Sequence, residues 1–339
     1  MIKTLTSWRG IFAICIVCFH FAMHEFDQMT LAGVTFFFML GGFLVTLKHS
    51  DIASTKQFYN RRLSRIFPLH WLVLSAMIAL DLLWMHKFHY GWDLPFHTLL
   101  LQSWFPQTDI HYNYSIHSWF LSSLLFCIIA TPLLIKFLNR ISRKVAWVIV
   151  IAASVIVAGS DIASNEFWHS YFYVFPLTRV VDYTLGMMLG ITMREQQASS
   201  KIPIAKATAI EMSVLLIFAA FIAIHACGNA FALSLENSSL WWIPISLLIV
   251  TSFRLNGNEG LVGKILTLRP LVWLGEISFE VYLMQKLVNN VFTYVIAPFC
   301  GHFGFFVYDY CFEGTIPLLI ITAWAVHRLF TRKKSKITR

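Results

Sequence analysis

The feature that most constrains this chain is a recurrence of apolar runs, each about as long as a bilayer is thick, separated by short polar or charged breaks. A helix needs about 20 mainly apolar residues to cross the hydrocarbon, and about ten such runs fall at 7–24, 31–49, 67–86, 116–138, 145–163, 171–192, 207–226, 239–253, 271–292 and 314–331. With 58% of its 339 residues hydrophobic and 13% charged, the chain has more apolar sequence than a soluble core could hide. The expected fold is all-α: a polytopic membrane helix bundle of about ten transmembrane helices. No internal repeat or appended soluble domain interrupts it, so residues 1–339 form one membrane-embedded domain. The first run is expected to stay as a membrane helix, because no small-residue cleavage site follows it and a second run begins within a few residues.

Lysine and arginine fall in alternate breaks. Short cytoplasmic loops are enriched in both. With the N-terminus inside, the inner segments collect Lys3, Arg9, Lys48, Arg61, Arg62, Arg65, Arg140, Arg143, Arg194, Arg254, Arg269 and the tail HRLFTRKKSKITR, whereas the outer loops hold only Lys87. That asymmetry predicts an even number of crossings with both termini cytoplasmic. It also accounts for the formal net charge of +9 through topology and attraction to anionic lipid headgroups, without a nucleic-acid partner. Of the six cysteines, Cys15, Cys18 and Cys127 lie in runs and are expected to pack as small apolar side chains. Cys300 and Cys311 share an outer loop, where a disulfide is an open option.

Polar residues inside membrane helices are expensive and usually functional. Arg9 and His20 are eleven residues apart, which returns to nearly the same helix face at about 16 Å along the axis. Each alone reads as an anchor or an interfacial histidine. Together, on one stripe, they suggest an anionic group held at the inner end and proton chemistry further in. In FYNRRLSRIFPLHW, Arg62 and Arg65 share a helix face beside Arg61, and Pro68 marks the start of the next span. Three guanidiniums at a membrane surface suit bidentate phosphate binding, and the same cluster also satisfies a purely topological role. In FPLTRVVDYTLGMMLG, Arg179 and Asp182 are three apart and can neutralise one another, while Gly186 and Gly190 read as a close-packing face.

These stretches, in the order WRGIFAICIVCFH, GVTFFFMLGGF, FYNRRLSRIFPLHW, SWFLSSLL, TRVVDYTLGMMLG and WLGEISFEVYLMQ, resemble the acyltransferase-3 superfamily of integral membrane O-acyltransferases across nearly the whole chain. The resemblance implies transfer of an acyl group, commonly acetyl, from cytoplasmic acyl-CoA to a hydroxyl of a surface or lipid-linked glycan, in a bacterial inner membrane. The family's first-span arginine and essential histidine fall on Arg9 and His20, and its basic pair on Arg62 and Arg65. Acetyl-CoA, as co-substrate, brings the phosphates that the guanidiniums call for; no metal is implied. Three positions depart from the family pattern. Gly41 stands where many members have serine, Leu124 where one branch has glutamate, and Gln285 where many have histidine. The last puts proton exchange at that position in doubt, since an amide can only orient a hydroxyl.

A sugar hydroxyl needs a base during attack, and histidine is the usual choice near neutrality. His20 is therefore the expected base, with direct attack on the thioester; an acyl-histidine intermediate stays open. Glu25, Asp27 or Glu280 could orient the imidazole, with Tyr282 in the same ninth-span motif. Trp119, Trp92 and Trp104 could stack on sugar rings or belong to an interfacial belt. His86, His89, His97, His111 and His117 lack carboxylate or cysteine partners at regular ligand spacing, so no metal site is expected. A transporter or flippase for carbohydrate or lipid-linked sugar is the alternative, although it would show paired broken helices in two related halves.

Overall fold

The computed structural model describes residues 2–21, 23–86, 91–195, 201–302 and 311–337. Among them the chain is helical and no strand occurs. The main helices are α1 (Lys3–His20), α2 (Asp27–Lys48), α3 (Thr55–Leu83), α4 (Ser118–Arg140), α5 (Arg143–Ala163), α6 (Glu166–Val174), α7 (Pro176–Arg194), α8 (Ile204–Ala226), α9 (Trp242–Arg254), α10 (Arg269–Glu276), α11 (Ser278–Val291) and α12 (Cys311–Ile337). Every apolar run lies on these helices to within a few residues. Local chemistry fixes several starts: Ser54, Ser142 and Asn165 accept from the backbone N–H groups of Gln57, Val145 and Trp168 at α3, α5 and α6.

Among the described residues five helices are long and apolar enough to cross a membrane: α2, α3, α4, α5 and α8. A sixth is added if α6 and α7, bent by 52° at Phe175, form one span. The other runs carry their polar groups inside the protein. In α1, Thr4 donates to the Ser252 carbonyl at 3.4 Å and Ser7 to that of Leu266, so its polar first turns face neighbouring helices. The most apolar helices lie outermost. Of the apolar stretch, 72% is buried within the protein in α2 but only 28% in α5 and 17% in α8, which leaves α5 and α8 to face lipid.

Glycine sets the tightest helix pair. A Cβ on Gly42 would strike the Tyr183 backbone, and one on Gly186 would strike that of Met39. The α2 and α7 backbones therefore touch, as small residues at membrane helix interfaces permit. The pairing Gly10 with Gly275 does the same for α1 and α10.

Hydrogen bonds show which helix ends lie together. Arg194 donates to the Thr46 carbonyl at 2.8 Å, Asn139 to that of Ser50 at 2.8 Å, and Arg143 pairs with Glu195. This is the basic end. At the other, Asn237 bonds Asp161 at 3.0 Å, His225 bonds Glu236 at 2.7 Å, and Tyr171 donates to the Trp104 carbonyl at 2.9 Å. The segment between α3 and α4 folds there into a cap of short helical turns (Leu94–Thr98, Gln102–Trp104, Thr108–His111).

Two expected boundaries move. Helix α1 begins at Lys3 and ends at His20 rather than covering 7–24, so His20 sits at a helix terminus. Pro68 does not start a span: α3 runs through it. Proline is tolerated within membrane helices because neighbours re-satisfy the freed carbonyl, and the extension carries Arg61, Arg62 and Arg65 on three rigid turns ahead of the apolar stretch.

Candidate functional site

At the basic end a cavity of about 680 Å³ opens between α1, α2, α3, α4 and α11, within the range of about 300–1,000 Å³ usual for small-molecule sites. It gathers Arg9, Arg61, Arg62 and Arg65, residues far apart in sequence, on one wall system with Lys48, Tyr183 and Tyr282. Arg9 lies within electrostatic reach of Arg65, which repels it, and of Glu280 and Glu276, which attract it. Arg62 lies 5.3 Å from the Phe58 ring, which leaves its edge for hydrogen bonds. Among the described residues none of the four guanidiniums has a carboxylate within salt-bridge distance. The cavity is thus a positive, partly apolar slot suited to an anionic ligand with an apolar arm. Gly41 and Leu124, both departures from the family pattern, line it.

Phe120 and Tyr282 line the cavity with their rings 5.3 Å apart. Beyond them is His117, its ring 6.1 Å from that of Tyr282 and its carbonyl accepting the Tyr282 hydroxyl at 2.9 Å. His117 in turn meets His20 edge to face, with ring centroids 4.0 Å apart at 85°. His20 therefore does not line the cavity with Arg9. The two share α1, but His20 meets the cavity-lining Tyr282 only through the ring of His117. Gln285 stands against His20, and Lys286 is within electrostatic reach of both imidazoles.

The other expected residues have separate partners. Arg179 is fully buried; it bonds Asp182 at 2.9 Å and the Tyr173 carbonyl at 2.6 Å, and lies 4.6 Å from the Tyr173 ring and 5.7 Å from the Trp119 and Phe38 rings. Asp182 also accepts from the Trp242 indole at 2.6 Å. This pair holds α7 to its neighbours. Trp119 is 5% exposed, packed on Tyr173 at 4.8 Å, so its faces are taken; Trp92 is 70% exposed. Glu280 bonds His327 at 2.9 Å, so the α11 carboxylate faces α12 and lies within electrostatic reach of Arg9 instead of orienting His20. Gln285 donates to the Tyr282 carbonyl at 2.9 Å.

The outer histidines serve as fasteners. His70 donates to the His97 carbonyl at 2.8 Å, His97 to that of Ile110 at 2.8 Å, and His111 to that of Phe105 at 3.0 Å. His89 and the Cys311 side chain lie outside the described residues. No group of three His, Cys, Asp or Glu is placed to share a metal among those described. The reading of the sequence missed the position of His117. It stands at the start of the 116–138 run, two residues before Trp119, and only the fold brings it to His20.

The chain matches the model of a family described as "Acyltransferase domain" over residues 2–326. A curated relative, acyltransferase MdmB from Streptomyces mycarofaciens, is 27% identical over 321 residues, which cover 85% of this chain and 79% of the relative. No solved structure matches this chain.

Proposed function

This chain belongs to the acyltransferase family, and on that premise we propose that it moves an acetyl group from cytoplasmic acetyl-CoA to a hydroxyl of a surface or lipid-linked glycan. In this reading the chain crosses a bacterial inner membrane ten times with both termini cytoplasmic, and the basic end faces the cytoplasm. One observation carries it: four guanidiniums, none within salt-bridge distance of a carboxylate among the described residues, line a single cavity whose Tyr282 contacts His117, the neighbour of His20. Coenzyme A carries a diphosphate and a 3'-phosphate, which would satisfy Arg9, Arg61, Arg62 and Arg65, and its pantetheine arm would run along Leu40, Phe120 and Ile128 toward Tyr282.

The acceptor's hydroxyl would arrive from the opposite side, under the cap. His20 takes its proton as the oxygen attacks the thioester carbonyl, a role worth roughly 10²–10⁴ in rate. Arg179 with Asp182, Trp119, Glu280 and Gln285 support the helices that hold this geometry. Family membership favours this enzyme over the sugar carrier that the sequence left open.

The reading is tested by acetyl-CoA binding to the purified chain. The variant Arg62→Ala with Arg65→Ala should lose at least roughly tenfold in affinity, because each charge-assisted hydrogen bond contributes about 1.5–3 kcal/mol. Unchanged affinity in a folded double variant would reduce the cluster to a topological anchor.

A further inference from the structure

We propose that His117 supplies a second imidazole to the transfer step, donating a hydrogen bond to the thioester oxygen while His20 takes the acceptor's proton; this rests on the acyltransferase reading above. His117 is 2% exposed, yet among the described residues neither ring nitrogen has a hydrogen-bond partner. The other buried histidines differ. Among the described residues His70, His97, His111 and His225 each have a ring nitrogen bonded to a carbonyl or carboxylate. A buried polar group left unbonded costs about 1–3 kcal/mol, and such exceptions call for an explanation.

The surroundings point to substrate as that explanation. His117 precedes the first turn of α4 without capping it, so helix formation does not use the ring. Its main chain is instead tied to α11 by the Tyr282 hydroxyl, from a residue that lines the donor cavity. The ring thus lies between Tyr282 of the cavity wall and His20, 6.1 Å from the former and 4.0 Å from the latter. Lys286 and Gln285 of α11 are the charged and amide groups facing the pair. Two imidazoles meeting at right angles over so short a distance can address two atoms of one reacting centre.

The acceptor oxygen bonds to the thioester carbonyl carbon and passes its proton to His20. The carbonyl oxygen takes up the displaced electron pair and is held by the His117 N–H. The intermediate then collapses, the carbon–sulfur bond breaks, and the departing thiolate recovers the proton from His20. The products are the acetyl ester and free coenzyme A thiol. Removing one such donor costs roughly 10²–10³ in rate in other acyl-transfer enzymes.

The test uses membrane vesicles carrying the full chain, supplied with radiolabelled acetyl-CoA, with label counted in the membrane glycan fraction. His117→Ala should slow transfer by roughly 10²–10³ with half-saturation by acetyl-CoA within about threefold of the parent. His117→Gln, which keeps an N–H donor, should recover at least about tenfold of that loss, whereas His20→Gln should be no faster than His20→Ala. Transfer by His117→Ala at the parental rate would overturn the assignment. So would a His117→Gln protein that binds acetyl-CoA normally but transfers nothing, which decides the matter even if the alanine variant does not fold. Parental vesicles that transfer no label would instead overturn the underlying reading.

Discussion

Arg9, Arg61, Arg62 and Arg65 bring four positive charges to one cavity, an arrangement that favours an anion from outside the protein. Charge alone is not the whole of it. Arg9→Lys keeps the charge but loses the planar fork, and a point charge is a poorer match for phosphate oxygens. It should weaken acetyl-CoA binding several-fold, as measured by calorimetry on the purified protein; wild-type affinity would show that Arg9 acts only through its charge. At His20 the separation runs the other way. His20→Ala should lose roughly 10²–10⁴ in transfer rate while binding acetyl-CoA as the parent does, because its ring does not line the cavity and reaches Tyr282 only through His117. The arginine cluster was legible in sequence because its spacing and helical setting are local. His117 was not, since its meaning depends on a contact across 97 residues with an imidazole at the end of α1. The same holds for His327, which looked like part of a basic tail and bonds Glu280 at 2.9 Å.

At the scale of elements, the α2–α7 pair is the joint most exposed to mutation. Both helices contribute wall or support to the site, and no room exists for a Cβ at Gly42 or Gly186. Gly186→Ala should destabilise the protein by about 1–3 kcal/mol, read as a lowered thermal unfolding midpoint in detergent, whereas Gly159→Ala, in open space on α5, should leave it unchanged. The sequence marked Gly186 and Gly190 as a packing face, but not α2 as the partner, because apolar runs carry little information on which helix meets which. The cap is an element of a different kind, held by polar contacts. Asp93 accepts from Asn113 at 2.6 Å and from the Tyr114 hydroxyl at 2.7 Å. Burial opposes charge on Asp93, but those hydrogen bonds outweigh it and hold the carboxyl below its ordinary range. Burial pushes the His97 imidazole down from 6.5 to about 4. Both groups bind protons more readily in the opened cap, so closure weakens as pH falls. The His97 contribution is complete above 6.5 and lost toward 4, and that of Asp93 is lost below its ordinary range. Amide protection factors across residues 93–114 should therefore drop over that interval, and should vary less with pH between 6.5 and 4 in His97→Gln; a pH-independent profile in the parent would contradict the account.

Among the described spans of the whole molecule, α5 and α8 expose most of their apolar stretch, whereas the comparably apolar α2 is buried. Helices α5 and α8 were the easiest to read because lipid is their solvent, and they contribute least to the site. Helices α1, α3 and α11 line the cavity, and α1 and α3 were legible mainly through the spacing of Arg9 with His20 and of Arg62 with Arg65. What periodicity could not supply was the order of rings from Tyr282 through His117 to His20, which links the two ends of the bundle. The central claim is that donor binding and proton chemistry occupy successive positions along that line. Its most direct test is the dependence of acetyl transfer on acetyl-CoA concentration in vesicles carrying the parent, Arg62→Ala with Arg65→Ala, or His20→Ala. The account expects the arginine variant to need at least roughly tenfold more acetyl-CoA for half its maximal rate, with that maximum largely kept. It expects His20→Ala to lose the maximum, with parental acetyl-CoA binding. A collapse of the maximum in the folded arginine variant at unchanged half-saturation, or full transfer by His20→Ala, would contradict it.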